Sequence, residues 1–322
     1  MIKDLAAAQK ILDKIQTAQN ILIITHKNPD GDGLGALSAL AQFLHARQKK
    51  YELFCRDRIT ASDNFLPLLY KVTSNPQIFN KIFDLIIVLD SGSLDYAGIE
   101  DLLSNLPVGY LLINIDHHAS NSYFGQLNLV VETASSASEI IYDLFKIWRV
   151  PITKDIATAL LNGIVFDTGA FSNAGTTLTC LQAASHLLNL GARHKEINEK
   201  KFRDKSLNLL KLWGRAFERL QYNQKCELAY TVITLNDFKE LGLEVDAGNG
   251  LSNFFNELAG AKIVLVITEQ ADGLIKGSLR TTSDDVDVAE LAKAWGGGGH
   301  KKAAGFSVNG KLFYNENKWG IR

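Results

Sequence analysis

Three short stretches of this chain are apolar at nearly every position: "ILIIT" (21–25), "DLIIVL" (84–89) and "LLINI" (111–115). A strand with one wet face alternates apolar and polar residues, whereas a strand apolar throughout must be covered on both faces. Stretches with helical periodicity recur along the same region, and helices that carry the chain between such strands give a parallel sheet. "YELFC" (51–55) and "LNLVV" (127–131) read as further strands, and 4–18, 34–47, 135–147, 154–164 and 176–190 as helices. Residues 193–222 are charged and read as a connecting helix. A second pattern follows, with strands near 228–234, 262–268 and 273–281 and helices near 248–259 and 286–295. The expected fold is α/β and two-lobed. A mostly parallel sheet flanked by helices occupies 1–192, the connecting helix 193–222, and a smaller α/β domain 223–322. A length of 322 residues suits two domains.

Composition narrows the function. Thirty-four basic and 35 acidic residues leave a formal net charge of −1, which supplies no long basic track for nucleic acid. A small nucleotide or short oligomer held at one site remains compatible. Cys55, Cys180 and Cys226 are far apart and form no CxxC pair, as expected of reduced thiols in a cytoplasmic protein. The N-terminal segment reads as an amphipathic helix without a signal-peptide apolar region. No apolar run approaches the roughly 20 residues that span a bilayer.

The stretch "HKNPDGDGLGA" (26–36) leaves the first buried run and leads into a helix. As a calcium loop it would need a bidentate Glu at its twelfth position, where Ala39 stands. As a dinucleotide fingerprint, "GDGLGA" would place Asp30 and Asp32 where a pyrophosphate must approach. As a metal site, it offers His26, Asp30 and Asp32, with glycines that let the backbone bend around a cation. A solvated acidic turn is the bland reading of this loop alone.

Three further segments end an apolar run in the same way. "IIVLDSGS" places Asp90 there, "LINIDHHASN" places Asp116, His117 and His118, and "GIVFDTGAFSN" places Asp167. The C-terminal ends of parallel strands meet along one edge, so these groups are expected to converge. Two carboxylates 4 Å apart repel by about 4 kcal/mol at an effective dielectric near 20, so four need cations or protons. Carboxylates with a minority of imidazoles suit Mn²⁺, Mg²⁺, Fe²⁺ or Zn²⁺. Two ions sharing one bridging carboxylate account for this many ligands better than one.

Those four motifs, with "GGGGHKKAAGF" (296–306), resemble the DHH phosphoesterases and their DHH-associated C-terminal domain, over about residues 20–306. The layout looks most like the nano-RNase subgroup, NrnA-type oligoribonucleases that also dephosphorylate 3′-phosphoadenosine 5′-phosphate. The larger RecJ exonucleases share the motifs but carry extra domains. The resemblance implies that His26 and Asp30 hold one Mn²⁺, that Asp32, His117 and Asp167 hold a second, and that Asp90 bridges them. Mg²⁺ or another divalent ion can stand in. Asp116 is expected to orient His117, and His118 to face the scissile phosphate. The family usually has a Ser after the Arg of its C-terminal strand; here "SLRTTS" offers Thr281 or Ser283 instead.

In the second domain, Gly297, Gly298 and Gly299 fall in a four-glycine run that can bare successive backbone N–H groups, an anion-binding nest. His300 follows, and Arg280 lies on the preceding strand, where its fork suits a phosphate. The expected protein is a cytoplasmic Mn²⁺-dependent hydrolase that cuts short oligonucleotides to mononucleotides and converts 3′-phosphoadenosine 5′-phosphate to AMP. It needs no membrane, and a homodimer is compatible with it. The alternatives are a phosphodiesterase for cyclic or linear di-adenosine nucleotides, and a non-catalytic nucleotide sensor on the same scaffold.

Overall fold

A computed structural model describes all residues except 1, 60–64, 104–105, 107–108, 203–205, 246–249, 256–257, 259 and 316–317. The chain divides into two compact units, residues 1–204 and 205–322.

The first unit runs α1 (Leu5–Thr17), β1 (Asn20–Thr25), α2 (Gly31–Ala46), β2 (Lys50–Phe54), β3 (Val72–Thr73), β4 (Leu85–Leu89), α3 (Leu94–Ala97), β5 (Leu111–Asp116), β6 (Leu127–Val130), α4 (Ala137–Ile147), α5 (Lys154–Asp167), α6 (Leu178–Asn189) and α7 (His194–Phe202). Its strands lie in the order β3-β2-β1-β4-β5-β6, and every pair is parallel. The chain winds outward from β1 to β3, then crosses back to β4 and winds the other way. Beyond the carboxyl ends of β1 and β4, where the winding reverses, such sheets bind ligands.

Both faces of this sheet are dry, as the unbroken apolar runs demand. Ile21 and Ile23 face a core shared with α1, α2 and α4 to α6. Leu22 and Ile24 face a second core with Phe54, Phe79, Phe83, Ile86 and Val88. Burying one such side chain contributes about 1.5–3 kcal/mol. All five residues of β4 are buried, so a charge on either face of that strand would be ruinous.

The second unit contains α8 (Leu207–Glu218), β7 (Gln221–Asn223), β8 (Leu228–Ile233), α9 (Leu235–Leu241), α10 (Leu251–Phe255), β9 (Ile263–Glu269), β10 (Leu274–Arg280), α11 (Val288–Lys293), β11 (Gly298–His300), β12 (Ala303–Asn309), β13 (Leu312–Asn315) and β14 (Lys318–Ile321). Its main sheet has the order β11-β12-β10-β9-β8-β7, with only β8 and β9 parallel; β13 and β14 pair separately. Helices α8 to α10 pack over β8 and β9, on Ala229, Ile233, Val264 and Val266. Helix α11 packs on the opposite face, on Leu279, Ala304 and Phe306.

The 193–222 segment is two helices rather than the single connecting helix expected. In α7, Ile197 enters the first unit's core. Ser206 then caps α8, whose Leu212, Trp213 and Ala216 enter the second unit's core. The segment serves two separate cores, and one straight helix has only one apolar stripe to offer. Among the described residues, no helix is long and apolar enough to cross a membrane.

Candidate active site

The ends of β1, β4 and β5 and the start of α2 place the histidines and aspartates together. His26 follows β1 directly. Asp30 caps α2, accepting from the backbone N–H groups of Asp32 and Gly33 at 2.9 and 3.1 Å. The helix therefore starts at Gly31, three residues earlier than its apolar periodicity suggests, and the glycines do not bend a loop around a cation. They permit close packing instead. A Cβ on Gly35 would lie 2.5 Å from the Ala159 carbonyl oxygen, and one on Gly163 would collide with Ser138 and with the Asp32 carboxylate. Helices α2 and α5 thus approach closely enough to bring Asp167 to the site. Asp167 ends a helix, not a strand as its apolar lead-in suggested.

Three overlapping groups result. One contains His26, Asp30 and Asp90, another Asp32, His117 and Asp167, and a third Asp90, Asp116, His117 and His118; within each the ligand atoms lie within 4.8 Å of one another. His26 Nε2 is 3.6 Å from Asp30 and 3.4 Å from Asp90. His117 Nε2 is 3.1 Å from Asp167, 3.4 Å from Asp90 and 4.0 Å from Asp32. Asp90 thus touches the first two groups with different oxygens, Oδ2 toward His26 and Oδ1 toward His117. Its backbone is left-handed, at φ 56°, a conformation that strains a non-glycine residue and that recurs at functional sites.

The second coordination layer is also built. The His26 ring faces the Lys27 carbonyl through Nδ1 at 2.8 Å, which leaves the Nε2 lone pair for a cation. Asp32 is fully buried at the N-terminus of α4, where its oxygens accept from the N–H groups of Ala137 and Ser138 at 2.6 and 2.9 Å. Asp116 hydrogen-bonds His118 Nδ1 at 2.7 Å, not His117 as expected. Its other oxygen accepts from Asn121 Nδ2 at 2.6 Å. Asp116 therefore orients His118 and leaves the far ring nitrogen of that residue for another partner.

Electrostatics show the strain of so many charges in one place. Burial alone would lower the His26 imidazole, but the carboxylates of Asp30 and Asp90 beside it push it up to about 12. Burial would likewise lower His117, but Asp167 and Asp90 push it up to about 12. Burial, then the charges of Asp90 and Asp167, hold Asp32 well above the usual carboxylate range, and burial raises Asp167. Burial would raise Asp90 too, yet the imidazoles of His117 and His26 hold it well below that range. The hydrogen bond that His118 donates to the Asp116 carboxylate raises its imidazole.

A divalent cation fits this donor set. Asp90 Oδ1 and His117 Nε2 are buried without a hydrogen-bond partner among the described residues, although acid oxygens surround that nitrogen. Buried polar atoms are rarely left so. Donors gathered at short range, yet out of line for hydrogen bonds, are disposed as ligands around a cation.

The second unit offers a groove of about 570 Å³. Helices α8 to α10 cover only the β8–β9 side of the sheet, leaving a face of β10 and β12 that carries Lys276, Ser278 and Arg280. Gly298 and Gly299 line it as well. Arg280 is half-buried, and burial lowers its guanidinium from the ordinary value. The sequence expectation of a glycine nest needs correction. The N–H groups of Gly296 and Gly297 close the end of α11 on Lys293 and Ala292, and Gly298–His300 form a strand paired with β12. Gly299 still requires glycine, at φ 146° with Ala303 and Ala304 packed where a Cβ would stand. The His300 side chain lies outside the described residues. Thr281 is buried and its hydroxyl donates to the Lys262 carbonyl at 2.6 Å, while the Ser283 N–H donates to that same hydroxyl. Neither lines the groove; Ser278, which was not among the expected site residues, does. Its only signal was alternation with Arg280 on one strand face.

Residues 20–164 match the DHH family, N-terminal domain, and residues 228–317 match the DHHA1 domain. A Thermus thermophilus protein named bifunctional oligoribonuclease and PAP phosphatase NrnA is 28% identical over 295 residues, covering 90% of this chain and 84% of that protein. A Bacillus subtilis protein of the same name is 25% identical over 304 residues, covering 93% and 92%. Among solved structures, an exopolyphosphatase-related protein from Bacteroides fragilis shares the fold at a TM-score of 0.85 and 22% identity, covering 96% of this chain and 92% of that one. With both matches in order along the chain, and with the first unit's motif residues gathered at one sheet edge, the protein carries a DHH family N-terminal domain followed by a DHHA1 domain.

Proposed function

We propose that this protein is a phosphoesterase that uses two divalent ions, Mn²⁺ foremost, to hydrolyse short oligonucleotides to mononucleotides and 3′-phosphoadenosine 5′-phosphate to AMP. One observation carries the reading: the Asp90 carboxylate presents one oxygen to each of two histidine–carboxylate groups, 3.4 Å from either imidazole. The relatives named bifunctional oligoribonuclease and PAP phosphatase support the substrate class.

His26, Asp30 and Asp90 would hold one ion, and Asp32, His117, Asp167 and Asp90 the other. When bound, such ions lower the pKa of water and neutralise charge on phosphoryl oxygens. The protein's own groups supply the rest. Asp116 orients His118 and raises its imidazole, so that its outer nitrogen would donate a proton to the leaving oxygen. In the second unit, Arg280, Ser278 and the Gly298–Gly299 backbone line a groove that would suit a phosphate-bearing nucleotide. A net charge of −1 adds no long-chain affinity.

The test is turnover, with and without Mn²⁺, of RNA from two to 24 nucleotides, 3′-phosphoadenosine 5′-phosphate, cyclic dinucleotides and pyrophosphate. Metal-dependent release of mononucleotides, fastest from the shortest RNAs, is expected. Faster cleavage of pyrophosphate or cyclic dinucleotides would overturn the substrate assignment, and no turnover of any substrate would overturn the enzyme.

A further inference from the structure

Tyr96 stands beside the ligand cluster without belonging to it. Its ring stacks on the His26 imidazole, with centroids 4.9 Å apart and planes inclined by 13°. It also meets the His118 ring edge-on at 6.2 Å. Its backbone is pinned at both ends: the N–H donates to the Ser93 hydroxyl, and the carbonyl accepts from the Lys27 N–H. Yet 40% of the residue is exposed. With one face stacked on His26 and the His118 ring set at a steep angle beside it, the exposed remainder of the phenol is open to solvent.

Packing alone does not account for this placement. Both neighbouring cores close without Tyr96, which joins neither. A rigid, partly exposed aromatic ring, next to the two histidines assigned to metal and phosphate, has the form of a stacking platform. Nucleobases stack on such rings whatever their sequence, because each presents a π-face. Resting on the phosphoesterase reading above, we propose that Tyr96 stacks on the base of the nucleotide that carries the scissile phosphate and thereby sets the preference for nucleotide over inorganic phosphate substrates. The ring, not the hydroxyl, does this.

The test compares a dinucleotide with its abasic analogues, one lacking each base in turn. Dissociation constants are read with Mn²⁺ in a His118→Ala background, where bound substrate survives. Replacing Tyr96 by Leu should weaken the intact dinucleotide by about 5- to 150-fold, the range of base–aromatic stacking. The analogue lacking the stacked base should already bind weakly and lose little more. Tyr96→Phe should restore most of the lost affinity. Metal binding by the Leu variant, followed calorimetrically, should stay close to that of its parent. Equal losses on intact and abasic ligands, or loss of metal in step with loss of ligand, would reduce Tyr96 to a prop for His26 and overturn the proposal. So would a base-dependent loss on replacing Phe166, the exposed aromatic next to Asp167, with none on replacing Tyr96. Turnover by the otherwise unaltered protein is scored separately, and its absence bears on the phosphoesterase reading rather than on the platform.

Discussion

Loading the site with metal should expel protons, and the number can be worked out. In the metal-free protein both His26 and His117 titrate near 12, so near neutral pH each is an imidazolium. A ligating nitrogen must give up its proton. Removing a proton about five pH units below its pKa costs about 7 kcal/mol per imidazole, at 1.36 kcal/mol per unit. The charge of the ions must offset that cost, so apparent affinity should climb by about a factor of ten per pH unit for each histidine displaced. Titration calorimetry in buffers of differing ionisation heat counts the protons directly. We expect about two released per chain on full loading, with Asp32 and Asp167, both raised, adding to rather than subtracting from the count. His26→Ala and His117→Ala should each release about one fewer. The same groups fix the sign of metal-free stability. Imidazoles raised from 6.5 to about 12 contribute stability that is complete below the lower value and lost as pH rises toward the upper. Raised Asp32 and Asp167 act in the same direction, whereas Asp90, lowered, contributes above the ordinary carboxylate range and loses that contribution as acid titrates it. The melting temperature of stripped protein should therefore fall between neutral pH and pH 10. Proton-neutral metal loading would refute the reasoning, because it would mean the histidines are already neutral.

Asp116→Asn and His118→Ala should both keep their metal and lose turnover, whereas His117→Ala should lose metal as well; metal analysis beside kinetics separates the three. Arg280→Ala should raise KM for dinucleotides with metal content unchanged, while Thr281→Val should leave KM alone and cost about 1–3 kcal/mol of stability by orphaning the Lys262 carbonyl, read by urea unfolding. Gly163→Ala should destabilise by about 1–3 kcal/mol and weaken metal binding, because the added methyl strikes both Ser138 and the Asp32 carboxylate.

Much of this molecule was legible before its coordinates. β1, β2, β4, β5 and β6 each fall within a residue or so of where hydrophobic runs placed them. The clustering of the six proposed ligands was legible because four separate apolar runs each end in Asp or His, and the fold brings those ends together. The failures concern hydrogen-bond partners, some local and some made at a distance in sequence. Asp116 chooses His118 over its immediate neighbour through side-chain direction at the end of β5, which no motif encodes. Thr281 spends its hydroxyl on a carbonyl 19 residues away. Ser138 and Ala137 meet Asp32 across more than a hundred residues, and their "ASSAS" stretch reads as an ordinary helix start. The early start of α2 was hidden by glycine's poor helix propensity, which Asp30 as a cap and close packing against α5 override.

The most direct test of a two-ion centre bridged by Asp90 is anomalous diffraction from crystals soaked in Mn²⁺. Two peaks are expected, one among His26, Asp30 and Asp90 and one among Asp32, His117, Asp167 and Asp90, with the second ion displaced or lost in His117→Ala crystals. A single peak, or two peaks with the Asp90 carboxylate contacting only one, would contradict it.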